Sequence, residues 1–99
     1  MNENKTTQIK NIVAKIDLEK IANYPEHPQS KTLRRIINYS KRVLDSNNEK
    51  KIFRLSTDLA YYLDAIVNKT GYVKDEKEKE HWLEISRELF ENTVGVKEK

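Results

Sequence analysis

Turn-forming residues are scarce in this chain, whose 99 residues include only two glycines and two prolines. An all-β domain of this length needs a turn about every 8 to 12 residues, usually marked by Gly, Pro or Asn-Gly pairs. Here both prolines fall close together, at Pro25 and Pro28, and the glycines are Gly71 and Gly95. The spacing therefore predicts an all-α protein.

Composition narrows the class further. The chain has no cysteine, which excludes disulfides, thiolate nucleophiles and cysteine-based zinc sites. A length near 100 residues predicts a single domain over residues 1–99. Residues 1–8 lack the apolar segment of a secretory leader, and no apolar run approaches the ~20 residues that span a bilayer. We expect a cytoplasmic protein, with partial membrane association left open.

Apolar residues recur with helical spacing in four segments. The helices are predicted at about 6–22, 29–46, 48–70 and 75–93, with frayed ends at 1–5 and 94–99. Short connections favour antiparallel neighbours, so the economical fold is an antiparallel four-helix bundle with up-down-up-down topology. A three-helix arrangement stays open if the first helix packs loosely.

Capping residues mark the ends of these helices. Thr6 or Thr7 can cap the first helix, and Pro28 can open the second near its first turn. Gly71 suits the left-handed position that ends the third helix. Asp75 is the predicted cap of the fourth helix.

The inward stripes of the four helices predict the core. Leu18 and Ile21 fall on another side of the first helix, so its last turns are expected to kink, unwind or contact a second neighbour. The predicted core residues are Ile12, Ile16, Ile36, Leu44, Leu55, Leu59, Leu63, Trp82, Ile85 and Leu89.

We predict no catalytic, cofactor-binding or metal site. Glu78 and His81 form a Glu-x-x-His pair of the kind found in di-iron bundles, but those sites need a second pair and two more carboxylates. The only other histidine, His27, has no acidic residue three positions earlier. Two isolated glycines cannot form a phosphate-binding loop or the glycine-flanked turn of a serine nucleophile. The residues favour a protein that is not an enzyme.

Charge is distributed unevenly. Residues 31–54 carry eight basic and two acidic side chains, a balance of +6, whereas residues 75–91 carry three basic and seven acidic ones, a balance of −4. Two interpretations remain open: solvated helices whose fields attract each other, or a basic stripe that binds an anionic partner, whether the inner phospholipid leaflet, nucleic acid or an acidic protein loop. The stripe comprises Lys31, Arg34, Arg35, Lys41 and Arg42.

Nucleic acid is the less favoured anionic partner. We expect no aromatic residues to be interleaved with the basic stripe, and no helix-turn-helix turn precedes it. Tyr61 is predicted to be exposed, opposite the core stripe of its helix, and tyrosine is a favoured interface anchor. A small regulatory or nucleic-acid-binding bundle remains the alternative function.

The order of segments resembles the immunity proteins of pediocin-like (class IIa) bacteriocins, especially the enterocin A immunity type. The resemblance covers nearly the whole chain and rests on size, basic charge and absence of cysteine. It is carried by three stretches: Leu55-x-x-x-Leu59-Ala60-Tyr61-Tyr62-Leu63, then Asn68-Lys69-Thr70-Gly71-Tyr72-Val73, then Glu80-His81-Trp82-Leu83-Glu84-Ile85-Ser86-Arg87-Glu88-Leu89.

This resemblance implies a cytosolic antiparallel four-helix bundle that protects its host from a membrane-permeabilising peptide without degrading it. The implied partner is the mannose phosphotransferase permease, the membrane receptor of the bacteriocin, once the toxin has engaged it. In this family the C-terminal half tends to set which toxin is countered. Carried onto this chain, that implies the turn containing Tyr72 and Lys74, the outward side of the last helix, and the tail after Thr93.

Overall fold

The structure is a computed structural model that describes residues 2–93 of the chain, with side chains described for residues 5–93. Within this range all regular structure is helical, which confirms the predicted all-α class. The predicted frayed end at 94–99 lies outside the described residues. The helices are α1 (Asn2–Val13), α2 (Leu18–Ala22), α3 (Lys31–Asp45), α4 (Glu49–Asn68) and α5 (Glu76–Thr93).

Four polar side chains define where α2 to α5 begin. Each accepts a hydrogen bond from a backbone N–H in the first turn that has no partner within the helix. The bonds measure 3.0–3.2 Å and come from the N–H three residues later. The four capping residues are Asp17, Ser30, Asn48 and Asp75.

The first predicted helix, 6–22, is wrong in its start, because the predicted frayed end at 1–5 is helical from Asn2, whereas the expectation that its last turns kink or unwind is confirmed. The chain is helical from Asn2 onward, where the side chain of Lys5 donates to Asn92 of α5 at 3.2 Å. Helix α1 then ends at Val13, and the chain turns before Asp17 caps α2. This break lets Ile21, which lies off the α1 stripe, turn inward and become fully buried.

The remaining boundaries differ from the predictions by one or two residues. Pro28 lies in the turn before α3 rather than in its first helical turn, because Ser30 provides the cap. Helix α4 ends at Asn68 with Lys69 as its C-cap, and Gly71 follows with the left-handed φ of +74°. The left-handed glycine was therefore correctly predicted, although it lies farther beyond the helix end than expected.

Helix α4 is the centre of the fold. It packs against both α3 and α5, while α1 contacts all three of these helices. Within the described residues, no Cα atom of α3 lies within 8 Å of one in α5, so these two helices pack on different sides of α4. The Cα radius of gyration is 13.0 Å, the value of roughly 13 Å expected for one folded domain of this length.

Nine of the ten predicted core residues are buried, and Leu44 is wrong, since its exposed fraction is 40%. Leu44 faces the same side of α3 as Leu33, but it lies in the last turn, just before the helix ends. A helical wheel gives the side to which a residue points and does not give how far the neighbouring helices extend. Val43 provides the buried apolar side chain of this turn instead.

Candidate functional site

All five residues of the predicted basic stripe lie on α3 with exposed side chains. They do not act as a uniform row of solvated cations. Arg35 and Arg42 contact tyrosines of α3 and α4, and Lys41 and Arg42 line a depression near the end of α3. Lys31 and Arg34 belong to neither arrangement.

Four side chains pack in a row across α3 and α4, with an arginine at each end: Arg42, Tyr39, Tyr62 and Arg35. The guanidinium carbon of Arg42 lies 5.8 Å from the Tyr39 ring centre, and that of Arg35 lies 5.9 Å from the Tyr62 ring centre. Arg35 also donates to the Tyr62 hydroxyl at 3.2 Å, and the two rings are 5.7 Å apart. The expectation that no aromatic residue is interleaved with the stripe is therefore wrong: Tyr39 lies between Arg35 and Lys41 on α3 itself, and α4 brings Tyr62 beside it.

The turn between α3 and α4 gathers further cations that the predicted site omitted. Lys51 at the start of α4 lines two adjacent depressions of about 280 and 320 Å³. The first is shared with Lys41 and Arg42, and the second with Lys50 and Arg54. We call these five side chains the turn cluster. In the sequence, the adjacent Lys50 and Lys51, with Arg54 one helical turn later, could have indicated this cluster.

None of the eight basic side chains in residues 31–54 forms an ion pair within the described part of the chain. The ion pairs that involve the acidic α5 instead join it to α1–α2 or lie within it: Lys15–Glu88 at 3.3 Å, Lys20–Glu78 at 3.8 Å and Lys79–Glu76 at 3.5 Å. The basic flank of α4 is thus not neutralised by the acidic helix. Its positive field is directed toward solvent.

Tyr61 is exposed, as predicted, and it borders a groove between α4 and α5. Its exposed fraction is 58%, and its ring packs edge-on against Phe90 with ring centres 4.8 Å apart. Phe90 was missed as a site residue, because only the rotation of α5 against α4 brings it beside Tyr61. The groove has a volume of about 380 Å³ and is lined by Asp64, Asn68, Leu83, Ser86, Arg87, Phe90 and Glu91.

The two remaining predicted partner-binding residues lie at the α4–α5 turn. Tyr72 is half-buried, Lys74 is exposed, and Val73 between them is buried in the core. This turn is separated from the turn cluster by the length of α4, about 30 Å for its 20 residues. The predicted partner-binding residues therefore belong to three places: the α3 stripe, the α4–α5 groove and the α4–α5 turn.

A partly buried polar cluster fastens the loop after α2 to α5, and sequence reasoning missed it. The hydroxyl of Tyr24 donates to the carboxylate of Glu78, and the Trp82 indole N–H reaches both the Tyr24 oxygen at 3.3 Å and a Glu78 oxygen at 3.4 Å. Burial, followed by the hydrogen bond to Glu78, raises the pKa of Tyr24 well above its ordinary value of 10.0. The cluster has a structural role, since the Tyr24 hydroxyl, the Trp82 indole N–H and one Glu78 oxygen bond one another, and that oxygen also pairs with Lys20 of α2.

The Glu78 and His81 pair is not organised as a metal site. Glu78 is engaged by Tyr24 and Trp82, while His81 is exposed and lies against the ring of Trp82. Within the described residues, no group of three or more histidines and carboxylates is placed to hold a metal ion. Over the same range, none of the helices combines the length and apolar character that crossing a membrane requires.

Comparison with known proteins returned no relative. No protein-family model, curated protein or solved structure matches the chain.

Proposed function

We propose that this protein is an immunity protein against a pore-forming, pediocin-like bacteriocin. In this proposal it acts in the cytoplasm by stoichiometric binding at the inner side of the toxin's membrane receptor, of the mannose phosphotransferase permease type, with or without bound toxin. It performs no catalysis. The whole-chain resemblance and the all-helical fold support the proposal.

The finer topology belongs to the same proposal. We infer an antiparallel four-helix bundle in which α1 and α2 together form the first arm, and α3, α4 and α5 form the other three. The short connections between α3 and α4 and between α4 and α5 support this topology. The break between α1 and α2 is then a local bend in the first arm.

The observation that carries the proposal is the exposed Tyr61 beside the α4–α5 groove. The resemblance implies that the C-terminal half selects the toxin, and in the described part of that half this groove has an aromatic anchor beside a concavity. Tyrosine and arginine are enriched in interface hot spots, and both are present here as Tyr61 and Arg87. A protein partner that inserts apolar groups between Phe90 and Leu83 would fit this surface.

Survival of a sensitive strain that expresses the protein tests the proposal. We expect a higher inhibitory concentration for at least one peptide of a pediocin-like panel, with no loss of the peptide from the medium. Unchanged sensitivity to every peptide would count against the proposed function. Degradation of the peptide would contradict stoichiometric binding.

Substitutions in the same assay test the surface. Tyr61→Ala should reduce protection at an unchanged protein level, whereas Tyr61→Phe, which keeps the ring on Phe90, should retain it. Gln8→Ala, at an exposed position of α1 outside the groove, is the matched control. Full protection by Tyr61→Ala would remove this groove from the interface.

A further inference from the structure

The turn cluster is the most strongly charged surface that the proposed function leaves without a role. Its five cations, Lys41, Arg42, Lys50, Lys51 and Arg54, line two adjoining depressions, and none of them is paired with a carboxylate in the described chain. Asp45 lines the first depression together with Lys41 and Arg42, and Glu49 is the other acidic residue of this segment, so five basic and two acidic side chains leave the local balance positive. Such a concentration of unpaired cations attracts a polyanionic surface.

Leu44 adds an exposed apolar group in the last turn of α3, close in the chain to the cations of this cluster. It is one helical turn from Lys41 and is one of two large apolar side chains that are exposed in the described chain. A leucine beside a group of lysines and arginines is typical of protein surfaces that lie on anionic lipid, where the apolar side chain enters the headgroup layer. A polynucleotide offers no apolar layer for this side chain.

The aromatic residues nearby also favour lipid over nucleic acid. Proteins that bind single strands stack bases on open aromatic faces. Tyr39 and Tyr62 are half-buried, pack against each other and each carry a guanidinium over the ring. Their ring faces are therefore already covered and do not offer open surfaces on which bases could stack.

We propose that the turn between α3 and α4 docks on an anionic phospholipid leaflet, with the turn cluster on the headgroup phosphates and Leu44 entering the interface. The acidic outer side of α5 lies on the other flank of α4 and is oriented away from the lipid. This docking does not depend on the proposed immunity function. The protein binds reversibly, because one exposed leucine and a few cations give a weak anchor.

Flotation of the purified full-length chain with vesicles tests the docking. We expect binding to phosphatidylcholine vesicles that contain phosphatidylglycerol, little binding to phosphatidylcholine alone, and release as salt is raised. Each cation at such a surface strengthens binding roughly fivefold, so the triple variant K50Q/K51Q/R54Q should bind on the order of 100-fold more weakly. These side chains are exposed, and an unchanged melting temperature verifies that the variant is folded.

The matched control removes the same charge at the other end of α4. The triple variant K69Q/K74Q/K77Q alters three exposed lysines at the α4–α5 turn and should bind like the wild type. Equal losses in both triple variants would show that only net charge matters and would overturn the proposed site. Equal binding to neutral and anionic vesicles would overturn the lipid specificity.

A fluorescent probe and an oligonucleotide complete the test. In L44W the added indole should shift its emission to the blue on anionic vesicles, whereas the native Trp82 is already buried and should not change. Binding of L44W without such a shift would overturn the insertion of residue 44. Tighter binding of a DNA or RNA oligonucleotide than of vesicles, lost in K50Q/K51Q/R54Q, would assign the cluster to nucleic acid and overturn the proposal.

Discussion

Substitution of Tyr24 by phenylalanine tests whether the partly buried polar cluster of Tyr24, Glu78 and Trp82 holds the loop after α2 onto α5. The change removes one hydroxyl and keeps the ring. That hydroxyl donates to Glu78 and accepts from the Trp82 indole. After the substitution, Trp82 keeps its second acceptor on Glu78, so the net loss is the bond between Tyr24 and the carboxylate.

The magnitude follows from the partners of this bond. A hydrogen bond to a charged group contributes about 1.5–3 kcal/mol to stability, and the lower part of the range applies because Tyr24 is only partly buried. The side chain of Glu78 is 16% exposed, so water replaces the lost donor only incompletely. We expect Tyr24→Phe to lower the free energy of unfolding by about 2 kcal/mol, or the melting temperature by roughly 8–15 °C.

Urea unfolding followed by far-UV circular dichroism measures the change without relying on Trp82 fluorescence, which the substitution itself alters. Tyr61→Phe is the matched control, because the Tyr61 hydroxyl makes no hydrogen bond in the described chain and its loss should change stability by less than about 0.5 kcal/mol. A Tyr24→Phe variant as stable as Tyr61→Phe would refute the reasoning. Glu78 and Trp82 would then be satisfied equally well by solvent.

Because the pKa of Tyr24 is raised, the stability difference between the wild type and Tyr24→Phe should also depend on pH. Above pH 10 the tyrosine ionises in the unfolded chain while it stays protonated in the folded one, so the unfolded state binds fewer protons and stability falls. The slope is about 1.4 kcal/mol per pH unit for this one group. The advantage of the wild type over Tyr24→Phe is therefore full below pH 10 and should shrink by about 1 kcal/mol at pH 11, less than the full slope because Tyr24 is only partly buried and solvent screens its interaction with Glu78. A constant difference between pH 8 and pH 11 would contradict the raised pKa.

Four further substitutions should change the free energy of unfolding by different amounts in the same urea assay. Ser86→Ala should cost about 1 kcal/mol, because the Ser86 hydroxyl donates to the Ala60 carbonyl across α4 and α5 at 2.7 Å. Ser56→Ala should instead leave stability unchanged or raise it by up to about 1 kcal/mol, because its buried hydroxyl has no partner in the described chain. A similar loss in both serine variants would contradict this difference. Gly71→Ala should cost about 1 kcal/mol through its positive φ alone, since no atom lies within 4 Å of the added Cβ. Asn48→Ala should cost about 1 kcal/mol through loss of the α4 cap, and an unchanged stability would contradict the assigned capping bond.

Apolar spacing was sufficient to predict the helical class and nearly all of the core, because a buried stripe leaves the same period in any helix. For the first predicted helix, the off-stripe positions of Leu18 and Ile21 indicated a break, but the spacing was insufficient to place it. The segment 14–17 has no proline or glycine to mark the break. The competition there is between continuing α1 and burying Ile21 against the neighbouring helices, and only the positions of those helices decide it.

The candidate site was less predictable than the core, since it depends on the rotation of one helix against another. The exposure of Tyr61 follows from its own helix, whereas its contact with Phe90 follows from how α5 packs on α4. The same holds for Arg35 and Tyr62, which are far apart in the sequence and adjacent across α3 and α4. Single-helix patterns predict which residues face solvent and do not predict which of them meet.

The separation of charge is the feature whose interpretation the structure changes most. A segment of +6 and a segment of −4 in one small domain could neutralise each other, and the sequence left that interpretation open. The basic charges lie on α3 and the start of α4, whereas the acidic ones lie on α5, and the ion pairs that α5 forms with other parts of the described chain reach Lys15 in the turn after α1 and Lys20 in α2. Unpaired like charges on one flank cost self-repulsion, which is relieved when an anionic partner binds. The arrangement therefore favours a basic flank that works by binding over one that serves only to keep the fold in solution.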